Sequence, residues 1–229
     1  IRADGSASIP SAPILEKGYL FQKNGSKEKL RYNDLPTLTN AAGLAYVTVV
    51  KCTSHEFETG NPNCIYCNAP CDHTKVDITT GKCYCGEKQV YQAKIGTKGY
   101  ATLKEAIAAA ERSKNATVTL LCNVDVDTGE QVSLTKGTYT LDLNGWKIKL
   151  KDIVYINING ANVSIKGEAS GSGMTAGMGV AVFLTSGSLT IQSGTFSEGA
   201  VAARVTGGRL EISGGSFDIG WQVSINKGT

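Results

Sequence analysis

Two stretches late in the sequence decide the fold: Gly187-Ser-Leu-Thr-Ile-Gln-Ser-Gly-Thr-Phe196 and Gly208-Arg-Leu-Glu-Ile-Ser-Gly-Gly-Ser-Phe217. They share one alternation of apolar and polar residues, and each passes through a glycine-containing turn to a phenylalanine. Alternation with a period of two predicts a β-strand with one buried face. The pattern recurs at a spacing of roughly 21 to 26 residues in five apolar pairs: Val118/Leu120, Leu141/Leu143, Val163/Ile165, Leu189/Ile191 and Leu210/Ile212.

A second series of apolar pairs alternates along the sequence with this first series, or ladder: Val132/Leu134, Ile156/Ile158, Val180/Val182, Val201/Ala203 and Val223/Ile225. Each repeat therefore contains at least two strands and can bury its apolar face only by stacking on a neighbour. The repeat length also suits leucine-rich repeats, but their Leu and Asn signature is missing. The sequence therefore predicts an all-β fold, a right-handed single-stranded parallel β-helix, or solenoid.

Composition limits the class of protein. The 229 residues are 41% hydrophobic, with 27 Gly against 5 Pro, which indicates a folded, turn-rich β protein rather than a disordered one. A net charge of +3 without a dense basic stripe argues against nucleic acid. No apolar run approaches the length of about 18 residues that a membrane span needs.

The two ends of the sequence suggest a segment of a longer protein. Ile1 to Pro13 is short and polar and resembles no signal peptide, and Thr229 follows a strand without the polar cap that solenoids normally carry. We therefore expect other domains of a longer parent chain as partners.

Three regions follow one another. Residues 1–50 form a leader and a small β region with a hairpin turn at Asn24-Gly25, and residues 51–90 form a Cys/His region. Residues 91–229 form the solenoid, truncated at its carboxyl end. Thr102-Leu-Lys-Glu105 predicts a capping box and a helix to about Ser113, which would cover the open end of the first turn.

Four motifs carry a resemblance: Tyr91-Gln-Ala-Lys-Ile-Gly96, Tyr100 to Ala110, Thr117 to Leu121, and Leu141-Asp-Leu-Asn-Gly145. They resemble the opening of pectate-lyase-like β-helix modules in large surface proteins of gut-type anaerobic bacteria. The resemblance covers residues 91–229, and its motifs are structural rather than catalytic. It implies a secreted or wall-attached multidomain bacterial protein, and it implies a surface location more than a reaction.

Eight candidate metal ligands fall into four close pairs: Cys52-x2-His55, Cys64-x2-Cys67, Cys71-x-His73 and Cys83-x-Cys85. The order Cys, His, Cys, Cys thus occurs twice. Structural zinc takes four N or S ligands in a tetrahedron, and close pairs from two turns supply them without a large fold. We expect two structural zinc ions in sequential sites rather than a cross-brace, with no ligand position left for a reactive water.

The alternative for these cysteines is a framework of three disulfides. Against it, Cys83 and Cys85 are too close to bridge comfortably, and disulfides give no reason for His to recur at the equivalent place. Cys122 stands apart from the cluster and is expected as a buried thiol in the first turn.

No catalytic set stands out. The outward residues of the first ladder include only two carboxylates, Asp142 and Glu211, about 14 Å apart over three strand spacings, too far for a glycosidase pair. Asp125 and Asp127 share a face, as solvated surface residues often do. We therefore expect no catalytic residue, with a polysaccharide lyase or glycoside hydrolase fragment as the alternative.

Lys147, Lys149 and Lys151 alternate with apolar residues and are expected on one outer face, with Tyr155 nearby as a stacking platform. Ordinary strand alternation with a solvated outside is the plain alternative. The functional interpretation is a cationic strip for sulfated or sialylated glycans or an acidic protein surface. The sequence thus favours a non-catalytic binding or adhesion segment whose ligand is a glycan, a mucin or a host protein such as an immunoglobulin.

Overall fold

The computed structural model describes residues 2–3, 16–23, 28–32, 45–58, 60–86, 88–127, 132–177, 179–199, 201–218 and 220–226. The chain divides into two compact units, one of Ile1–Asp77 with Lys82–Gln89, the other of Ile78–Gly81 with Val90–Thr229. Most of the leader and the Asn24-Gly25 turn lie outside the described residues.

The first unit contains a small antiparallel sheet. Its strands are β1 (Arg2–Ala3), β2 (Tyr19–Lys23) and β3 (Ala45–Lys51), in the order β1-β3-β2. Leu20 of β2 is buried against a cluster that otherwise consists of Cys52, Cys64, Cys67 and Ala69. The core of this unit is therefore built largely from the candidate metal ligands themselves.

The second unit contains one helix and fifteen strands among the described residues. Their bounds are β4 (Ala93–Ile95), β5 (Lys98–Tyr100), α1 (Leu103–Ala110), β6 (Ala116–Leu120), β7 (Val124–Val126), β8 (Ser133–Leu134), β9 (Thr138–Asp142), β10 (Lys147–Leu150), β11 (Ile156–Lys166), β12 (Gly173–Ala176), β13 (Val180–Ile191), β14 (Thr195–Ser197), β15 (Val201–Val205), β16 (Arg209–Ile212), β17 (Ser216–Asp218) and β18 (Trp221–Ile225).

Strands β6 to β18 form three parallel stacks, which we call faces A, B and C, whereas β4 pairs antiparallel with β5 and β6. Face A contains β7, β10, β12, β14 and β17; face B contains β8, the first halves of β11 and β13, β15 and β18; face C contains β6, β9, the second halves of β11 and β13, and β16. Each turn of chain visits the three faces in order. The result is a parallel β-solenoid of about 4 turns, which confirms the solenoid predicted from the repeats.

The strand register differs from the sequence alignment of the repeats. Val163 and Ile165 pair with Tyr139 and Leu141, whereas the repeats suggested Leu141 and Leu143. On face B, Ile156 likewise pairs with Val182 rather than Val180. Both differences are two residues, and a shift of two leaves every side chain on its original side of the strand.

The interior is a continuous apolar column. Alternate residues of faces B and C are buried, such as Ile156 and Ile158 of β11 and Val182 and Leu184 of β13. The bend between these faces requires glycine at Gly187, where φ is +86° and a Cβ would come within 2.1 Å of the carbonyl oxygen of Ala161. Glycine alone tolerates that approach without displacing the neighbouring turn.

Helix α1 begins with the predicted capping box. Thr102 Oγ1 accepts the N–H of Glu105 at 3.2 Å, and Glu105 accepts the N–H of Thr102. Leu103 and Ile107 are buried in the core of the solenoid. The helix ends at Ala110 rather than near Ser113, and residues 111–115 form turns that lead into β6.

Candidate metal centre

The first candidate site lies just after β3, in the first unit. One ligand atom each from Cys52, His55 and Cys67 lies within 4.8 Å of the other two. Cys52 and Cys67 are buried, and His55 is half-buried. The site is anchored to the small sheet because the N–H of Cys52 donates to the carbonyl oxygen of Gly18 at 2.7 Å.

Cys64, the fourth ligand predicted for this site, lies beside the group but is not one of the three residues whose ligand atoms are all within 4.8 Å of one another. It is buried, and its thiol interacts with those of Cys52 and Cys67. The Cys64 sulfur also accepts backbone N–H groups from Tyr66 and Cys67, two and three residues further on. Such N–H donors stabilise the negative charge of a thiolate ligand.

The second candidate site contains Cys71, His73, Cys83 and Cys85, whose ligand atoms all lie within 4.8 Å of one another. Cys71 Sγ is 3.1 Å from Cys83 Sγ, and Cys85 Sγ is 3.6 Å from His73 Nδ1. The N–H of His73 donates to Cys71 Sγ at 3.3 Å. The two groups therefore contain seven of the eight predicted ligands, and these are grouped sequentially, not in alternate pairs as a cross-brace would require.

The two cysteine pairs occupy hairpins with the same hydrogen bonds. In each, the first cysteine donates its N–H to a carbonyl five residues on, and the residue after the second cysteine has a positive φ. The equivalent features are the bridges Asn63–Pro70 and Lys82–Gln89, the bonds Cys64 N to Ala69 O (2.8 Å) and Cys83 N to Lys88 O (2.9 Å), and the left-handed residues Asn68 (φ 52°) and Gly86 (φ 80°). The repeated ligand order is thus accompanied by a repeated backbone.

Backbone contacts join the two hairpins into one module. The N–H of Gly60 donates to the carbonyl oxygen of Cys85 at 3.0 Å, and the N–H of Cys71 donates to Pro62 at 2.7 Å. Lys75 Nζ donates to the carbonyl oxygen of His55 at 3.3 Å. Ordering one site therefore restricts the backbone that presents ligands of the other.

The donor sets fit a tetrahedral metal. The second site offers three sulfurs and one imidazole, and the first offers two sulfurs and one imidazole with Cys64 beside them. Bond lengths of about 2.3 Å to S and 2.1 Å to N separate tetrahedral ligands by about 3.6 to 3.8 Å. The Cys85 to His73 distance of 3.6 Å falls in this range. All seven cysteines lie in the described residues, and none of them forms a disulfide. Both clusters can therefore hold a metal ion.

Burial raises the pKa values of two candidate ligands, Cys52 and Cys71. Burial and the neighbouring thiol of Cys67 raise the pKa of Cys52 to about 12. Burial and the thiol of Cys83 raise the pKa of Cys71 to about 12. Burial also acts to raise the pKa of Cys64. Hydrogen bonds from backbone N–H groups to its sulfur outweigh this effect, so the net shift of the Cys64 pKa is downward. A bound dication would supply the positive charge that the remaining thiolates need.

A lysine of the first unit supports the loop around the first site. Lys29 Nζ donates to Ser54 Oγ at 3.0 Å and forms an ion pair with Glu56 at 2.8 Å. The same ammonium lies 5.0 Å from the centroid of the Tyr66 ring. Lys29 thus contacts both chain segments that supply ligands of the first site.

One lysine of the predicted strip is paired with a carboxylate. Lys147 and Lys149 lie on face A, where Lys149 is in register with Asp125 of β7. Lys151 forms an ion pair with Asp127 at 2.9 Å. Tyr155 is not part of this strip, because it precedes β11 and packs on face B.

The two outward carboxylates considered for catalysis are each in an ion pair on face C. Asp142 pairs with Lys166 at 3.2 Å, and Glu211 pairs with Arg209 at 3.0 Å. Strands β9 and β16 are separated by three strand spacings, about 14 Å.

Two residues that the sequence did not single out lie next to Tyr155. The rings of Tyr155 and Phe183 are 5.4 Å apart and tilted by 43°, and the guanidinium of Arg204 lies 5.8 Å from the centroid of the Phe183 ring. Tyr155, Phe183 and Arg204 are far apart in sequence. The one signal that could have indicated Phe183 and Arg204 is that each lies between two inward-facing apolar residues and must therefore face outward.

Comparisons with protein families, with curated proteins and with solved structures found no match for this chain. Among the described residues, no helix has the length and hydrophobicity that crossing a bilayer requires.

Proposed function

We propose that this chain is a non-catalytic binding segment of a secreted or cell-wall-attached bacterial surface protein. In this proposal the solenoid displays a ligand-binding surface, and two zinc ions hold the Cys/His module together. The ligand is an extracellular glycan, such as a mucin glycan, with a host protein such as an immunoglobulin as the competing target.

The observation that carries the proposal is that the second Cys/His cluster brings four protein side chains together and the first brings three, to which we add the neighbouring Cys64 as the fourth ligand. A tetrahedral ion with four protein ligands has no open position for water or substrate, unlike catalytic zinc, which keeps one. The metal therefore has a structural role, and the exposed chemistry of the protein lies on the solenoid.

Zinc is the metal that we assign. Three thiolates and one imidazole per site are typical of structural zinc, since soft sulfur ligands in a tetrahedron disfavour the harder divalent cations. Zinc also has no redox chemistry, which suits a site that serves only to fix a backbone.

The remaining features of the proposal concern the solenoid. We assign it a right-handed coil, because parallel crossover connections are right-handed in about 98% of cases. We assign α1 the role of covering the first turn, since its buried face packs into the same apolar core. The resemblance of residues 91–229 to pectate-lyase-like surface modules supports the surface location.

A screen of the zinc-loaded chain tests the proposal. We expect binding on an array of mucin-type and acidic glycans, with immobilised immunoglobulin as a parallel arm. Incubation with pectin, alginate and glycosaminoglycans should give no unsaturated or shortened products. Turnover that disappears on changing Asp142 or Glu211 would replace the binding function with a lyase or hydrolase.

A further inference from the structure

Face B carries an aromatic surface that the core does not need. Asn157, Phe183 and Arg204 occupy one row across β11, β13 and β15, as the register pairs show. Their neighbours along each strand point inward and are buried, whereas Phe183 is only half-buried and Arg204 is exposed. The row therefore faces outward.

The aromatic rings of this surface form a tilted pair. Tyr155 and Phe183 are 5.4 Å apart, and both remain partly accessible. Adjacent rings held by two strands present a rigid apolar area, the type of surface on which the C–H faces of a sugar ring stack. Because the rings are fixed by the solenoid, little ordering is required on binding.

Arg204 adds a positive charge beside the rings. Its guanidinium lies 5.8 Å from the Phe183 centroid, and among the described residues no carboxylate forms an ion pair with it. This differs from Lys151, Lys166 and Arg209, which are each paired with an acid. A stacked guanidinium retains its fork of donors for a carboxylate or sulfate.

Amide and hydroxyl groups lie beside the rings. Asn159 and Ser186, which follow on the same two strands, hydrogen-bond to each other at 2.9 Å and are exposed or half-exposed. Asn157 Oδ1 is buried and has no hydrogen-bond partner. Rings, one cation and a few amide or hydroxyl groups make up the usual lining of a small-ligand site.

We infer that Tyr155, Phe183 and Arg204 form a binding site for an acidic sugar residue. This inference rests on the proposed binding function and specifies the class of its ligand. The rings stack on the sugar, Arg204 binds its carboxylate or sulfate, and the amides of Asn157 and Asn159 bind its hydroxyl groups. The lysines of face A are not part of this site.

The probes are a galacturonate oligosaccharide, a chondroitin sulfate oligosaccharide and a sialylated trisaccharide, with a neutral dextran oligosaccharide for comparison. They are titrated into the zinc-loaded full chain by calorimetry. We expect at least one acidic probe to bind, dextran to bind at least tenfold more weakly, and the difference to shrink in high salt. The preferred probe identifies the acid group.

The variants are Phe183→Ala, which removes a stacking ring, and Arg204→Gln, which removes a charge-assisted hydrogen bond to the acid group of the ligand; each should weaken binding of that probe about tenfold. Arg209→Gln on face C removes an equal charge and should leave affinity unchanged. Arg204 is exposed, so its variant tests the site even if Phe183→Ala fails to fold.

Three results would overturn the site. If Lys149→Gln weakens binding while Arg204→Gln does not, the ligand lies on face A, and the binding function survives. If only immobilised immunoglobulin binds, the ligand class is wrong, and the binding function again survives. If neither glycan nor immunoglobulin binds, the site and the proposed function both fail.

Discussion

The two units of this chain reach order by different means. In the solenoid, aliphatic side chains from every turn, such as Leu141, Ile165 and Ile191, stack into one apolar column. In the Cys/His module, the buried residues include Cys64, Cys67, Cys83 and Cys85, and few aliphatic side chains accompany them. From this difference we expect the apolar column to stabilise the solenoid by itself and the Cys/His module to depend on a bound ion.

Metal removal should give the largest difference between the units. Structural zinc in small modules contributes on the order of 10 kcal/mol of coupled folding free energy. We expect a strong chelator to expose residues 52–85 to protease, while residues 91–229 keep their far-UV circular dichroism. The comparison fails if the β signal of the whole chain is lost at the same chelator concentration.

Substitution of a single ligand should affect one site strongly and the other weakly. Cys85→Ser is expected to lower the metal content from two ions to one. The first site should then bind its ion more weakly, because Gly60 hydrogen-bonds to Cys85 across the module.

Cys122→Ser serves as the matched control for that substitution. This cysteine belongs to the solenoid unit and lies outside both Cys/His groups. Its variant should retain two ions by elemental analysis, and loss of an ion from it would contradict the assignment of ligands.

A cavity in the column should affect the solenoid and spare the metal. Leu141 is 1% exposed, and replacing such a residue with Ala typically costs about 2–5 kcal/mol. We expect Leu141→Ala to lower the denaturant midpoint of the solenoid without changing the metal content. Ile153→Ala is the control, since Ile153 is 76% exposed and its loss should change stability by less than about 0.5 kcal/mol.

The smallest effect is expected at the start of α1. Thr102→Ala removes the hydroxyl that accepts the N–H of Glu105, and the loss of such a cap costs about 1 kcal/mol. Thr102→Ser keeps the acceptor and should remain close to the parent chain. Equal midpoints for the Ala and Ser variants would show that the capping box contributes nothing measurable.

The sequence predicted most of the architecture because its signals are local. Alternation of apolar residues indicated the strands, and Thr102 with Glu105 indicated the start of the helix. Register was less accessible, since a shift of two residues places the same kind of side chain inward. The pairing of Tyr139 with Val163 therefore depends on the lengths of the turns, which the alternation does not encode.

The candidate sites also differ in whether the sequence could predict them. The eight Cys and His residues could be predicted as ligands because few roles explain such a dense, repeated set, and the structure brings seven of them together in two groups, with Cys64 beside the first. Phe183 and Arg204 could not be associated with Tyr155, because residues of consecutive turns become neighbours only through strand register. The neutralisation of Lys151 by Asp127 follows from the same register.

Metal stoichiometry tests the central claim most directly. The intact chain, expressed with zinc available, is analysed by native mass spectrometry and then by thiol counting after denaturation with a chelator. The account predicts two zinc ions per chain and seven reactive thiols. A chain with three disulfides, one reactive thiol and no metal would contradict it.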